Sequence, residues 1–488
     1  MSPASIALNR FGYGLASRDE PPADPRRFLL RQLENFDPAP AAIAGRMRSR
    51  GETGAMVELV RSLRQDRRAI AAMADAAPAM SADAAPAGDP RAAALAGLPP
   101  DYREKLQEAR QVLIGDVVAR TNLAVSSRTP MVERLVHFWS NHFSVSVGKV
   151  GTQFEVGPHE FTAIRPHVLG RFGDMLKAAV LHPAMLLYLD QFQSIGPGSV
   201  FAQRAGRGGG DGAGRPRGLN ENLAREVLEL HTLGVDGGYS QADVTELARA
   251  LTGWTVPGIG RVGRFAEDQP SGAAFVTLVH EPGARLVLGR RYAAGGARQA
   301  EAILDDLARH PATARHIATK LARHFAGDSP PPALVSRLEA DFLTTGGDLA
   351  SLTRTLIAAP EAWIAGPVKF RPPFEWLVAC LRLTGVRDLP SQRLVGALGE
   401  LGQVPWRAPS PAGYDDIAAS WAGPDALLRR VDLAERIAAN VPADTVLARA
   451  EAAFPDALGE ATRTQLKRAE SGRQALALLL VSPEMMRR

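Results

Sequence analysis

A chain of 488 residues that is 45% hydrophobic and 22% charged has the composition of an ordinary soluble globular protein, with enough length for a large core. Its net charge is only +5. It has six lysines, which leaves 51 arginines of the 57 basic residues, and no basic run is interleaved with aromatics, so nucleic-acid binding is not indicated. The single cysteine, Cys380, excludes an intramolecular disulfide, and no apolar run is long enough to span a bilayer.

The opening, Met1 to Gly14, lacks a basic stretch followed by a long apolar one. No secretory signal is evident, so a cytoplasmic location is expected; if the true start lies upstream, the chain is periplasmic or exported. Asn9–Gly14 reads as a glycine-broken turn with two aromatics. Helices are expected at 25–34 and 55–75, followed by an Ala/Pro-rich linker at 76–100. A helical pattern resumes at Tyr102. Thr129-Pro130 then starts a helix through Phe143, on which Glu133 and His137 are spaced to pair. His137 and His142 lie about 140° apart, too far to chelate one ion from an unbroken helix.

Further helices are expected over 172–179 and 184–190. The second ends in Asp190, where an acid opposes the helix dipole and calls for a cation such as Arg165. Residues 204–218 are arginine-punctuated and glycine-rich, without the Lys-Ser/Thr of a phosphate loop, and read as a mobile loop. A small hairpin is expected where 274–279 and 285–288 flank the His280–Gly283 turn. Five helices follow, over 298–308, 311–326, 332–342, 348–357 and 373–383, with Pro or Gly at their joints. A Pro-rich connector at 404–413 leads to the last helices.

The densest set of ionisable groups lies at 219–254. It reads as a helix, a glycine turn and a second helix begun by a Ser240–Asp243 capping box. Leu223, Val227 and Leu230 form its apolar stripe, and Asn222, Glu226 and Glu229 rise on an adjacent line. Glu226 and Glu229 at i,i+3 can reach one ion, yet no HExxH, paired ExxH or CxxC accompanies them.

Ordered segments across nearly the whole chain resemble the bacterial DUF1800 family, a family of unknown function. They include Asn9–Gly14, Phe138-Trp139-Ser140-Asn141-His142-Phe143, Ile164-Arg165, Leu189-Asp190, Asn220-Glu221-Asn222 through Gly234, Gly238-Tyr239, Ala248 through Trp254, Leu401-Gly402-Gln403 and Ser482-Pro483-Glu484. Gly413-Tyr414-Asp415 stands where the family pattern has Gly-Trp-Pro. The resemblance implies a possible partner of the DUF1501 family, with an alkaline-phosphatase-type fold.

The expectation is therefore a mainly α protein, a multi-helix globular array with one small β-hairpin element. Its segments are 1–100, 101–260 with the main motif, 261–390 and 391–488. One functional reading is a metal-assisted or acid–base hydrolase, with a divalent metal as candidate cofactor. Its catalytic candidates are Glu226, Glu229, His142 and Asp190, and its substrate-binding candidates are Asn141, Arg165, Asn222 and Arg225. The other reading is a non-catalytic helical binding or assembly protein, in which the same polar residues fix helix packing.

Overall fold

The computed structural model of the chain describes residues 1–17, 19–47, 57, 100–149, 151–207, 218–268, 272–366, 369–387, 389–442 and 445–488. Nearly all of the helix expected at 55–75 and of the linker at 76–100, and most of the 204–218 loop, fall outside them. The fold is mainly α, as expected. Proline opens Pro130–His142, Pro311–Ala326, Pro332–Thr345 and Pro373–Thr384. Its missing N–H is harmless in the first turn, where no intrahelical acceptor exists. Gly346 and Gly385, both left-handed, close the last two of these helices. No helix among the described residues is long and apolar enough to cross a membrane.

Among the described residues, three segments take the wider π geometry. Ala7–Phe11, His159–Ile164 and Val227–His231 are π-helical turns. The third interrupts the helix expected from residue 222, so the line drawn from 3.6-residue spacing does not persist. Asn222 is exposed, and Glu226 and Glu229 are half-buried. Carbonyls at such a helix end lack intrahelical donors. Here Leu230 O accepts from His316 Nε2 and His231 O from His142 Nε2, each at 3.1 Å.

Among the described residues, the strands form two short antiparallel pairs. Trp254–Thr255 pairs with Ala274–Phe275, and Arg285–Val287 with Arg290–Tyr292. The hairpin thus forms one turn later than its expected place, and 274–279 does not pair with 285–288. Its two-residue turn, Leu288-Gly289, has positive φ at both positions (49° and 74°), the geometry that matches strand twist. Leucine is not a residue that signals such a turn. Asp243 supports it by accepting the Leu288 N–H at 2.7 Å, while its other oxygen completes the expected capping box.

One hydrophobic cluster takes residues from Ile6 to Met486, and a smaller one joins Ile195, Val262, Val276 and Val279. The core also contains arginines: Arg10, Arg134, Arg371, Arg430 and Arg488 are each at most 1% exposed. They are tolerated because each guanidinium meets carbonyls or a carboxylate. Arg10 donates to Ala362 O, Arg430 to Arg371 O, and Arg488 to His324 O. Arg382 alone reaches the carbonyls of Gly14, Ala124, Val125 and Ser127. At the centre, Glu375 pairs with Arg134 at 2.8 Å and Arg488 at 2.9 Å.

Burial pushes the Glu375 carboxyl up, but Arg134, Arg488 and His324 outweigh it and bring it down from 4.5 to about 2. A depressed carboxylate stabilises the fold fully above its unfolded value and loses that contribution as pH falls. Glu375→Gln, which leaves two buried guanidinium groups without their counter-ion, is expected to destabilise the protein by about 3–5 kcal/mol at neutral pH in urea unfolding. The gap between variant and wild type should narrow as pH drops from 4.5 toward 2.

Candidate functional site

A cavity of about 320 Å³ opens where four helices and a connector meet. The 130–142 helix supplies Arg134, His137, Asn141 and His142, a stripe at i, i+3, i+7 and i+8. The 311–326 helix supplies Lys320, Arg323 and His324, again on one face. Arg120 comes from Pro100–Ser126 and Glu375 from Pro373–Thr384, while Tyr13 enters from the opening turn. The connector, expected at 404–413 as a Pro-rich link, and the residues that flank it form the remaining wall with Gln403, Trp406 and Tyr414 to Asp416.

The wall is held by ionic and aromatic contacts. Arg120 Nε reaches both Glu160 oxygens at 2.9 and 2.8 Å. Glu160 also accepts from Ser140 Oγ at 2.6 Å and Trp406 Nε1 at 3.1 Å. The Arg120 guanidinium lies over the Phe374 ring, 4.5 Å from its centroid. Trp406 takes a left-handed backbone, φ 57°, which costs about 1 kcal/mol or more for a bulky residue. Its indole bond to Glu160 and its carbonyl bond from Val147 N (3.0 Å) hold it there.

Asp416 and His324 form the arrangement of an orienting carboxylate and an imidazole, with Oδ2 to Nδ1 at 2.9 Å. Lys369 pairs with Asp416 and Asp328 at 3.1 and 3.0 Å. Burial pushes Asp416 up, yet His324 and Lys369 hold it well below the usual carboxylate range. His324 Nε2 is buried, makes no hydrogen bond among the described residues and faces Glu375 Oε1 at 3.8 Å. It points into the ion network, which makes His324 part of the wall's support.

His137 differs. Its Nδ1 lies 2.5 Å from the Tyr13 hydroxyl. Tyr13 is 1% exposed and its O–H has no other acceptor among the described residues, so the hydroxyl donates and the imidazole proton sits on Nε2. The ring is partly exposed and lines the cavity. Burial, then the charges of Arg120, Arg165 and Arg134, depress its basicity far below the ordinary histidine value. His137 is therefore a neutral N–H donor at physiological pH. Lys320 and Arg323 face the same space, and neither has a carboxylate within 4.0 Å among the described residues.

The expected site residues separate. Asn141 and His142 line the cavity; Arg165, Asp190, Asn222, Arg225, Glu226 and Glu229 do not. Asn141 is engaged with the connector: Nδ2 donates to Tyr414 O at 2.9 Å, and Oδ1 accepts from Tyr414 N at 2.8 Å. His142 spends Nε2 on His231 O, and its Nδ1 is buried without a partner among the described residues. Arg165 binds both oxygens of Glu133 at 2.7 and 2.8 Å, which takes Glu133 from the His137 pairing and Arg165 from Asp190. Asp190 sits in a left-handed conformation with Lys149 at 2.5 Å. Arg225 bonds Gln241 at 2.8 Å and neighbours Glu221 at 3.5 Å. Burial and the adjacent Glu229 raise Glu226 above its ordinary value, and Glu229 accepts from Tyr239 at 3.3 Å. Among the described residues, no three His, Cys, Asp or Glu side chains are grouped to hold a metal ion.

Sequence reasoning missed Tyr13, Lys320, Arg323, Glu375 and Asp416. One signal was present for the helix. His316, Lys320 and His324 recur every four residues, and Lys320 is one of only six lysines. The rest depends on contacts distant in sequence.

Gly413 seals the connector. Its φ is +84°, and a Cβ there would stand 2.4 Å from Asn141 O and 2.7 Å from Asn141 Oδ1. Gly413→Ala should therefore destabilise the protein by roughly 1–3 kcal/mol in a thermal or urea melt. It should also lift the connector, seen as faster amide exchange at Tyr414. A melt and exchange pattern identical to wild type would contradict the clamp.

No curated protein and no solved structure matches the chain. The profile of DUF1800, described as a protein of unknown function, matches residues 6–487. From the opening turn to the penultimate residue, this chain belongs to the DUF1800 family.

Proposed function

We propose that the protein is an enzyme acting on a small molecule that carries, or develops during reaction, negative charge on oxygen. One observation carries this reading: the asymmetry of the cavity wall. Glu375 and Asp416 are already bound by cations, and Asp415, exposed at the rim, accepts from Ser420 Oγ at 2.8 Å; Lys320 and Arg323 have no ion partner among the described residues, and His137 turns an N–H to the same space. At about 320 Å³ the cavity stands at the small end of ligand sites.

Donors fixed in advance around a recessed space stabilise an oxyanion more than water does, because they need not reorganise as charge develops. A neutral imidazole suits this task, since its N–H polarises a carbonyl without the desolvation cost of an added buried charge. Acid–base hydrolysis through a tetrahedral oxyanion is one reaction of this class. Proton abstraction beside a carbonyl is another. Asn141 acts here as a positioning residue, holding Tyr414 and the connector over the opening.

The test is incubation with a mixture of small carboxylates, phosphates and oxo acids, read by NMR. Wild type should deplete at least one compound. The Tyr13→Phe/His137→Phe double variant, which leaves no hydroxyl without an acceptor, should do so roughly 10²–10³-fold more slowly while remaining folded. An unchanged mixture, or a double variant as fast as wild type, would sink the reading.

A further inference from the structure

The lysine in the cavity wall lacks the partners that a lysine inside a protein normally has. Lys320 Nζ makes no hydrogen bond and no ion pair among the described residues. The other deep lysine, Lys369, is held by Asp328 and Asp416. Lys320 is still reached by solvent, since it is partly exposed and lines the cavity.

Its surroundings compensate the charge poorly. Arg323, one turn further along the same helix face, adds like charge. Asp416 attracts it, but is already bound to His324 and Lys369. His142, His231 and His316 are depressed far below the ordinary histidine value by burial and by the charge of Lys320 itself, so they are neutral. Burial and Arg323 outweigh the pull of Asp416 and bring the ammonium from 10.5 to about 8. Roughly a tenth of the molecules then carry a free amine at neutral pH. A lysine desolvated beside another cation is the arrangement that activates an amine toward carbonyl carbon.

We propose that Lys320 is a nucleophile that forms an imine with a 2-oxo acid whose carboxylate is held by Arg323. This rests on the reading of the cavity as an enzyme site. The guanidinium of Arg323 offers two parallel N–H groups to a carboxylate. At i,i+3 it stands about 5–6 Å from Lys320 between Cβ atoms, close enough for both to reach adjacent carbons of one small molecule.

In the step, the Nζ lone pair attacks the carbonyl carbon. A C–N bond forms, and the carbonyl π pair moves to oxygen, polarised by the His137 N–H. That oxygen takes a proton as the nitrogen loses one. The hydroxyl, protonated from solvent, then leaves as water while the nitrogen lone pair makes the second C–N bond. One amine, one carbonyl and one proton give one protonated imine and one water, with no oxidant or reductant.

The experiment is reductive trapping on the full chain. Protein is incubated with sodium pyruvate and cyanoborohydride, digested, and read by peptide mass spectrometry. The exposed Lys467 serves as internal reference. The reduced adduct should form at Lys320 at least about tenfold faster than at Lys467. The preference should fall severalfold with acetone in place of pyruvate, or in Arg323→Gln. Lys320→Arg, which keeps the charge, should melt like wild type and show no adduct on that helix. Equal labelling of Lys320 and Lys467 in folded wild type overturns the proposal, as does a preference that acetone reproduces in full. If labelling fails while His137-dependent turnover is found, the imine is wrong and the enzyme reading stands. Selective labelling without turnover supports the imine and removes the turnover reading alone.

Discussion

The buried carboxylate of Glu375 is the constraint on which the rest of the structure turns. It meets Arg134 from the 130–142 helix and Arg488 from the last residues, and it faces His324 from the 311–326 helix. Three separate elements are thus fixed by one side chain. Such a cluster is not a strong source of stability by itself, since stripping water from charged groups cancels much of their attraction. What it provides is position. Guanidinium and carboxylate groups buried together accept only arrangements in which each finds its partner, whereas apolar side chains tolerate repacking. Arg134, His324 and Glu375 line the same cavity as Lys320 and His137, so the ion cluster and the cavity share their groups.

The π turns serve the same end. Each displaces a helix from regular α geometry near the cavity and puts a polar group where regular spacing would not. His159–Ile164 carries Glu160 to Arg120 and Trp406. Val227–His231 ends on two carbonyls that engage His316 and His142. Ala7–Phe11 carries Arg10 and leads into Tyr13. Irregular turns of this kind are concentrated at functional sites, and here all three carry or lead into groups that build or support one cavity.

Much of the helical framework was legible in the sequence, because proline and glycine punctuate it plainly. Pro311–Ala326 and Pro25–Glu34 fall where the residues place them, and the Ser240–Asp243 capping box forms as read. The hairpin turn at Leu288-Gly289 escaped because leucine gives no signal for positive φ, and Asp243, distant in sequence, holds it. The site was harder. Carboxylate density drew attention to Glu226 and Glu229, while the cavity formed around Lys320 and His137. Periodicity reports the face a residue occupies but not what that face meets. The abundance of arginine carried structural information that composition could not localise: several of these side chains tie carbonyls of the core together.

The clamp between Asn141 and Tyr414 joins residues 273 positions apart. Closing so long a loop is an entropic cost that only a nearly complete fold repays. The clamp can form only when both the 130–142 helix and the connector are in place. A half-folded chain would hold the 130–142 helix without its cover, so Lys320 meets its enclosed environment only once the connector docks. On the imine proposal, the reactivity of that amine is a property of the finished protein, because the enclosure it needs is complete only with the connector in place.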